Sequence, residues 1–261
     1  MYNIRYGTGG GRLLFPWSGY FRKTEKTLQQ LIDFIQSLNP DIAGLIEVDA
    51  GSFRSSGHNQ AERIAERLGH YHAYKSKYGE SRFTGNVPLM SSQGNAFLAR
   101  DSISNATFHY FKRGVKRLVI ELELEELTVF LVHLALTFKV RHHQLKDLYD
   151  VVNNTSKPHI VAGDFNAKWG DHEIGLFLAA TGLVNADVEG GPTYPSWSPR
   201  RQLDFILHSP EINVTRFWKP DVKFSDHLPL VLDFQIDRQR VSGKQAGQAS
   251  GAVENVNPVG S

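Results

Sequence analysis

His159-Ile160-Val161-Ala162-Gly163-Asp164-Phe165-Asn166-Ala167-Lys168-Trp169-Gly170-Asp171 is the stretch on which the reading of this chain turns. Pro158 precedes it, and the apolar run from His159 to Ala162 has the length and composition of a buried strand. Gly163 is expected to end that strand, leaving Asp164 and Asn166 on the turn at its carboxyl end. Two residues apart, they can face one side: an acceptor-only carboxylate beside an amide that donates and accepts. Such a carboxylate binds a hard metal or takes a proton from water, and such an amide holds a phosphoryl oxygen. Gly, Asp and Asn also favour turns for backbone reasons alone. The stretch therefore acquires chemical meaning only through partners elsewhere in the chain.

Those partners sit at other strand ends. Glu47 interrupts the buried run Ile42–Val48, where a carboxylate needs a metal or a cation. His133 closes the apolar run Thr128–Leu134, a position where a histidine is more often a satisfied core residue than a ligand. Asp204 lies in the apolar strand Leu203–Leu207 and must be hydrogen-bonded to something. Asp226 and His227 come immediately before the last strand, and Asn3 lies in the first. Hydrolysis of a phosphate ester requires neutralised phosphoryl oxygens, an activated water and a protonated leaving oxygen. Glu47 and Asp226 suit Mg²⁺, which prefers one or two carboxylates and keeps several waters. Asp204 beside His227 would be a carboxylate–imidazole pair that raises the ring's pKa and fixes its tautomer.

Between these points the elements alternate. Helices are expected at 24–38, 61–68, 140–153 and 171–181, with strands at 1–6, 42–48, 71–77, 95–100, 106–111, 117–124, 128–134, 202–208, 212–218 and 230–236. The hairpin-like runs 95–134 and 202–236 argue for mixed sheets rather than a purely parallel one. Residues 1–237 form one catalytic domain in this reading, and 238–261, rich in Gly, Ser, Gln and Asn, form a disordered tail.

The 261 residues are 41% hydrophobic, enough for a sizeable core, and contain 0 cysteines. That excludes disulfides, thiolate metal sites and a cysteine nucleophile. The net charge of +2 advertises no polyanionic partner by itself. No apolar run of about 18 residues offers a membrane span, and no basic start precedes an apolar stretch as in a signal peptide. A cytoplasmic monomer is the expectation. Met1–Arg5 reads as the end of a strand, so upstream residues, with any targeting signal, are expected to be absent from this sequence.

The ordered set Tyr2-Asn3-Ile4, Leu45-Ile46-Glu47-Val48, Val132-His133-Leu134, Gly163-Asp164-Phe165-Asn166, Leu203-Asp204-Phe205-Ile206 and Ser225-Asp226-His227-Leu228-Pro229 resembles the endonuclease/exonuclease/phosphatase superfamily, the DNase I-like fold. The resemblance implies a four-layer α/β/β/α sandwich of two mixed, mainly antiparallel sheets, with the site at the strand ends between them. It implies a phosphoric ester hydrolase dependent on Mg²⁺, with Mn²⁺ as a substitute. Glu47 would bind the metal with Asn3 and Asp226 close by, and Asp164 would orient or deprotonate the attacking water. Asn166 would hold that water or a phosphoryl oxygen. His227, polarised by Asp204, would contact the phosphate, and His133 would touch the phosphate or assist the leaving group. Arg117 matches a phosphate-contacting arginine of some members. Ile46 departs from the family, which usually has Gln before the metal glutamate.

Substrate must be read from loops. Lys112, Arg113, Lys116 and Arg117 form a basic knot, with Lys168, Arg200 and Arg201 placed to join it. Aromatics among basic residues (Trp17, Tyr20, Trp169, Trp197) suit nucleic-acid stacking. The apolar loop 13–21 suits peripheral membrane contact almost equally well. A nuclease is the first expectation; a phospholipid or sphingomyelin phosphodiesterase, an inositol-phosphate phosphatase and a catalytically inactive binding module are the alternatives.

Overall fold

The computed structural model describes residues 1–11, 24–76, 92–169 and 171–241. The aromatic–basic loop 12–23, the Gly/Ser-rich loop 79–92 up to Ser91 and the tail beyond Val241 lie outside the described residues. Side-chain parity builds the layers. Along the strand Thr128–His133, Val129 and Leu131 enter one apolar cluster while Phe130 and Val132 enter another. Both faces of that strand are therefore buried, as its nearly continuous apolar composition requires.

The first sheet has the order β1-β2-β4-β3, from β1 (Tyr2–Asn3), β2 (Ile42–Asp49), β3 (Tyr71–Ser76) and β4 (Gln93–Ala99). The second runs β5-β6-β7-β8-β10-β9, from β5 (Asn105–Tyr110), β6 (Leu118–Glu123), β7 (Thr128–His133), β8 (His159–Asp164), β9 (Val184–Asn185) and β10 (Asp204–His208). Only β1–β2 and β7–β8 among these neighbours pair in parallel. A hairpin of β11 (Ile212–Trp218) and β12 (Val231–Ile236) completes the strands. It is tied to the first sheet through Met1, whose nitrogen donates to Leu230 O at 2.8 Å while Leu230 N donates to Met1 O at 2.9 Å. One apolar cluster joins the sheets, with Ile46 and Phe97 from the first and Ile120, Leu131, Ile160 and Ile206 from the second. Helices α1 (Glu25–Leu38) and α2 (Gln60–Leu68) cover the outer face of the first sheet. Helices α3 (Phe138–Val152) and α4 (Asp171–Thr181) cover that of the second. The result is the expected four-layer sandwich.

Several boundaries move. The first strand is two residues long because Arg5 and Tyr6 adopt positive φ and turn the chain at once. Arg238 to Val241, expected to open the tail, form a helical turn capped by Asp237, and Arg238 pairs with Glu126 at 3.0 Å. Gly163 does not end its strand. It pairs with Val132 and Phe205, and a Cβ placed on it would lie 2.0 Å from Val132 O. Glycine is there for close strand approach, not for a turn. Gly163→Ala is accordingly expected to cost about 1–3 kcal/mol of unfolding free energy as an overpacked core position, measured by urea denaturation; an unchanged midpoint would contradict the packing described here. No helix among the described residues is long and apolar enough to cross a membrane.

Candidate active site

Parity explains which polar side chains meet. On β8, Ile160 and Ala162 point between the sheets, so Asp164 does too; on β7, Val129 and Leu131 carry His133 with them. On β10, Ile206 does the same for Asp204, and on β1, Tyr2 and Ile4 face outward and leave Asn3 inside. The site is the polar end of the inter-sheet core. Glu47 is out of step, since Ile46 already occupies the inner face. The β2–β4 register breaks between Leu45 and Val48, and Glu47 itself sits at φ 58°. A bulge with a left-handed residue re-aims a side chain, and here it turns Glu47 into the cleft. Beneath it, Asp49 and Arg54 form a fully buried ion pair at 2.9 Å that anchors the chain leaving β2.

Asp164 is the hub. Its carboxylate accepts from Asn3 Nδ2 at 3.2 Å and from Asn166 N at 3.0 Å, and lies 3.3 Å from His133 Nε2 and 3.9 Å from His227 Nε2. Burial works against its ionisation, but His227, His133 and Lys116 outweigh it and hold the carboxyl well below the usual carboxylate range. Asn166, at φ 51°, donates its side-chain nitrogen to Leu134 O at 2.9 Å. Asn3 Oδ1 accepts from Arg5 N at 3.1 Å.

His227 donates from Nδ1 to Asp204 Oδ2 at 2.8 Å, and that oxygen also accepts from the Thr193 hydroxyl at 2.6 Å. Burial alone would lower the ring's pKa; Asp204, Asp164 and Asp226 together push it up to about 10. Burial pushes Asp204 upward, against the pull of His227. His133 is the opposite case: burial and then the Lys116 cation lower it to about 4, and it is neutral at pH 7. Its Nε2 faces both Lys116 Nζ and Asp164 Oδ2, a donor and an acceptor that one tautomer cannot satisfy together.

Glu47 Oε1 lies 3.9 Å from both His133 Nε2 and Lys116 Nζ. Asp226 lies 3.4 Å from Arg5 Nε, and its carboxyl is raised by burial first and in part by Glu47. Glu47 and Asp226, near enough for Glu47 to raise Asp226, are an oxygen-rich donor set, which fits a hard divalent ion better than a soft one. Asp164, Asp204 and His227 also bring ligand atoms within 4.8 Å of one another. Asp204 and His227 spend theirs on each other, which leaves Glu47 and Asp226 as the better ligands.

Glu47, Asn3, His133, Asp164, Asn166, Asp204, Asp226 and His227 thus converge. Arg117 does not: among the described residues its side chain forms no hydrogen bond or ion pair with the cluster. Its neighbour Lys116 does, because Leu118, Ile120 and Leu122 define the inner face of β6 and Lys116 shares their parity. The same alternation, extended two residues back, would have identified it. Gln144 on α3 holds that loop, donating to Lys116 O at 2.6 Å and to Arg113 O at 3.0 Å while accepting from Ala135 N at 2.8 Å. Arg5 and Thr193 were also missed; no local pattern marks either, since each meets its partner only through the fold.

A prediction follows for the metal-free protein. The His227 ring should keep its proton until about pH 10 and titrate lower in Asp204→Asn, read from its imidazole NMR shifts. The folded pKa lies above the ordinary 6.5. The stability it contributes is therefore full below about 6.5 and fades as pH rises through about 10. A ring that titrates near 6.5 with Asp204 intact would contradict this.

The family model for the endonuclease/exonuclease/phosphatase family matches residues 2–227. No curated protein matches the chain in sequence. Among solved structures, an endonuclease/exonuclease/phosphatase from Beutenbergia cavernae is similar at a TM-score of 0.66 and 19% identity, over 90% of this chain and 70% of that one. The human nocturnin catalytic domain with a bound sulfate anion is similar at 0.61 and 20%, over 90% and 91%. A mannosyl-6-phosphatase from Bacteroides thetaiotaomicron is similar at 0.62 and 14%, over 81% and 91%. At these identities the likeness is one of fold.

Proposed function

The chain belongs to the endonuclease/exonuclease/phosphatase family, and on that premise we propose that it is a divalent-metal-dependent phosphodiesterase acting on nucleic acid. The observation that carries the hydrolytic reading is the convergence of Asp164, His133 and the Asp204–His227 pair at one end of the inter-sheet core. Glu47, with Asp226 and Asn3 beside it, would hold the ion, Mg²⁺ by preference and Mn²⁺ in its place. A bound ion supplies charge to neutralise the phosphoryl oxygens.

The residues divide the remaining work by their protonation. Asp164 stays ionised and aims its carboxylate at the attacking water, with Asn166 holding water or a phosphoryl oxygen. A carboxylate so far below the usual range is a weak base, so its work is to orient the attacking water rather than to deprotonate it beforehand. His227 keeps its proton and therefore serves as a cation toward the phosphoryl oxygens, not as the base. Asp204 and Thr193 orient that ring. His133 and Lys116, which meet each other beside Asp164, would face the departing alcohol, with Lys116 as its proton donor. Arg5, at Asp226, adds a second cation at the mouth.

Nucleic acid is favoured over lipid by Tyr194, whose ring lies 4.9 Å from that of His227, and by the exposed Trp169 beside exposed Lys168. The test is a panel at fixed Mg²⁺: plasmid DNA, single-stranded RNA, abasic duplex, sphingomyelin and inositol phosphates, with bis-p-nitrophenyl phosphate reporting the chemistry alone. Cleavage of the small ester and of a polynucleotide is expected. Turnover confined to sphingomyelin or to inositol phosphates would replace the nucleic-acid reading, and no turnover of any ester would remove the hydrolytic one.

A further inference from the structure

Among the described residues, one exposed surface joins aromatic rings to cations. Trp169 is 68% exposed, Leu136 57% and Phe138 50%. All three stand just past catalytic strands, Trp169 three residues after Asn166 and Phe138 five after His133. The rings of Trp169 and Phe138 lie 5.3 Å apart, and Phe138 stacks on His142 with an interplanar angle of 25°. His142 neighbours His143, whose Nε2 meets the Arg113 guanidinium at 3.0 Å. Arg113 belongs to the loop that Gln144 clamps and that carries Lys116 into the catalytic cluster. A continuous band of five planar groups therefore leaves the cluster behind Asn166 and returns to it at Lys116. Exposed Lys112, Lys139 and Lys168 flank the band, so its charge is complementary to a polyanion.

We infer that this band is a docking track for a single-stranded polynucleotide, bases stacking on Trp169 and Phe138 while Arg113 and the flanking lysines follow the phosphates. The inference rests on the nucleic-acid reading above and deepens it. Stacking platforms interleaved with cations are how single strands are bound without sequence preference. A duplex keeps its bases stacked on one another and offers no free face to a tryptophan. A membrane-seeking surface would extend its apolar side chains into a wider patch. Here imidazole and guanidinium faces continue the row of rings.

The experiment uses the full chain in EDTA, so that no turnover competes, and a fluorescein-labelled 12-mer of deoxythymidine at fixed salt. Trp169→Ala and Phe138→Ala, both at exposed positions and checked for fold by circular dichroism, are each expected to raise Kd by about tenfold. With metal restored, kcat/KM for the oligonucleotide relative to that for bis-p-nitrophenyl phosphate should fall by a similar factor. Unchanged Kd in both variants, equal affinity for a hairpin duplex, or a tryptophan response to phosphatidylserine vesicles with none to the oligonucleotide would each overturn the track. Failure of the wild type to cleave the small ester would strike the hydrolytic reading instead, and the binding measurements would still report on the band.

Discussion

Asp164→Ala is expected to lower kcat by about 1,000-fold or more, the scale on which a positioned acid–base group contributes, while the protein still folds. The carboxylate sits where Asn3, His133, His227 and the Asn166 amide all converge. Its loss therefore removes both the group proposed to face the attacking water and the acceptor that fixes its neighbours. The fold should survive because the cluster is over-supplied with acid. Glu47, Asp164, Asp204 and Asp226 face a protonated His227, Lys116 and Arg5, with His133 neutral. Taking one buried carboxylate away leaves each of these cations an acidic partner, so the large cost of an uncompensated buried charge does not arise. The check is single-turnover cleavage of bis-p-nitrophenyl phosphate beside a thermal melt. A variant that melts like the wild type and turns over at a comparable rate would show that Asp164 is a structural acid only.

How much of this was legible in the chain depends on whether the deciding interaction is local. The run Arg117–Leu124 alternates, and alternation is a local property, so β6 and its inner face could be read directly. The sandwich followed from strands whose two faces are both apolar, such as Thr128–His133. Gly163 was misread because glycine's usual meaning is a turn, whereas here Val132 O, brought in from β7, leaves no room for a Cβ. Arg117 was preferred to Lys116 by resemblance, against the parity that the sequence already displayed. Glu47 reaches the cleft by way of a bulge opposite β4 that no tetrapeptide announces. Thr193 and Arg5 matter through Asp204 and Asp226, eleven and more than two hundred residues away. Residue types at strand ends identify a site; only the register of the sheets says which of two neighbouring cations enters it.

Removal of divalent ions should be the other large effect: dialysis against EDTA is expected to depress turnover by about 100-fold or more, since an ion's charge stabilisation is worth several kcal/mol. Mg²⁺ or Mn²⁺ should restore it and Zn²⁺ should do so poorly, given an oxygen donor set. The assignment of Glu47 is tested by Glu47→Gln, which keeps the side chain's shape and removes its charge. Half-saturation by Mg²⁺ should then shift upward by more than about 10–100-fold, the loss that follows from disturbing even an outer-shell partner of a metal. The ion's removal also bears on the two acids at the cleft mouth, because Glu47 helps to raise Asp226 when nothing lies between them. Neutralising Glu47 should therefore let Asp226 ionise more readily in the metal-free protein, a downward shift visible in its side-chain carboxyl carbon resonance. Metal dependence and the Asp226 titration fail separately. An unaltered Mg²⁺ requirement with a shifted Asp226 would leave the two acids as neighbours but move the ion elsewhere, with Asp164 the next carboxylate to test.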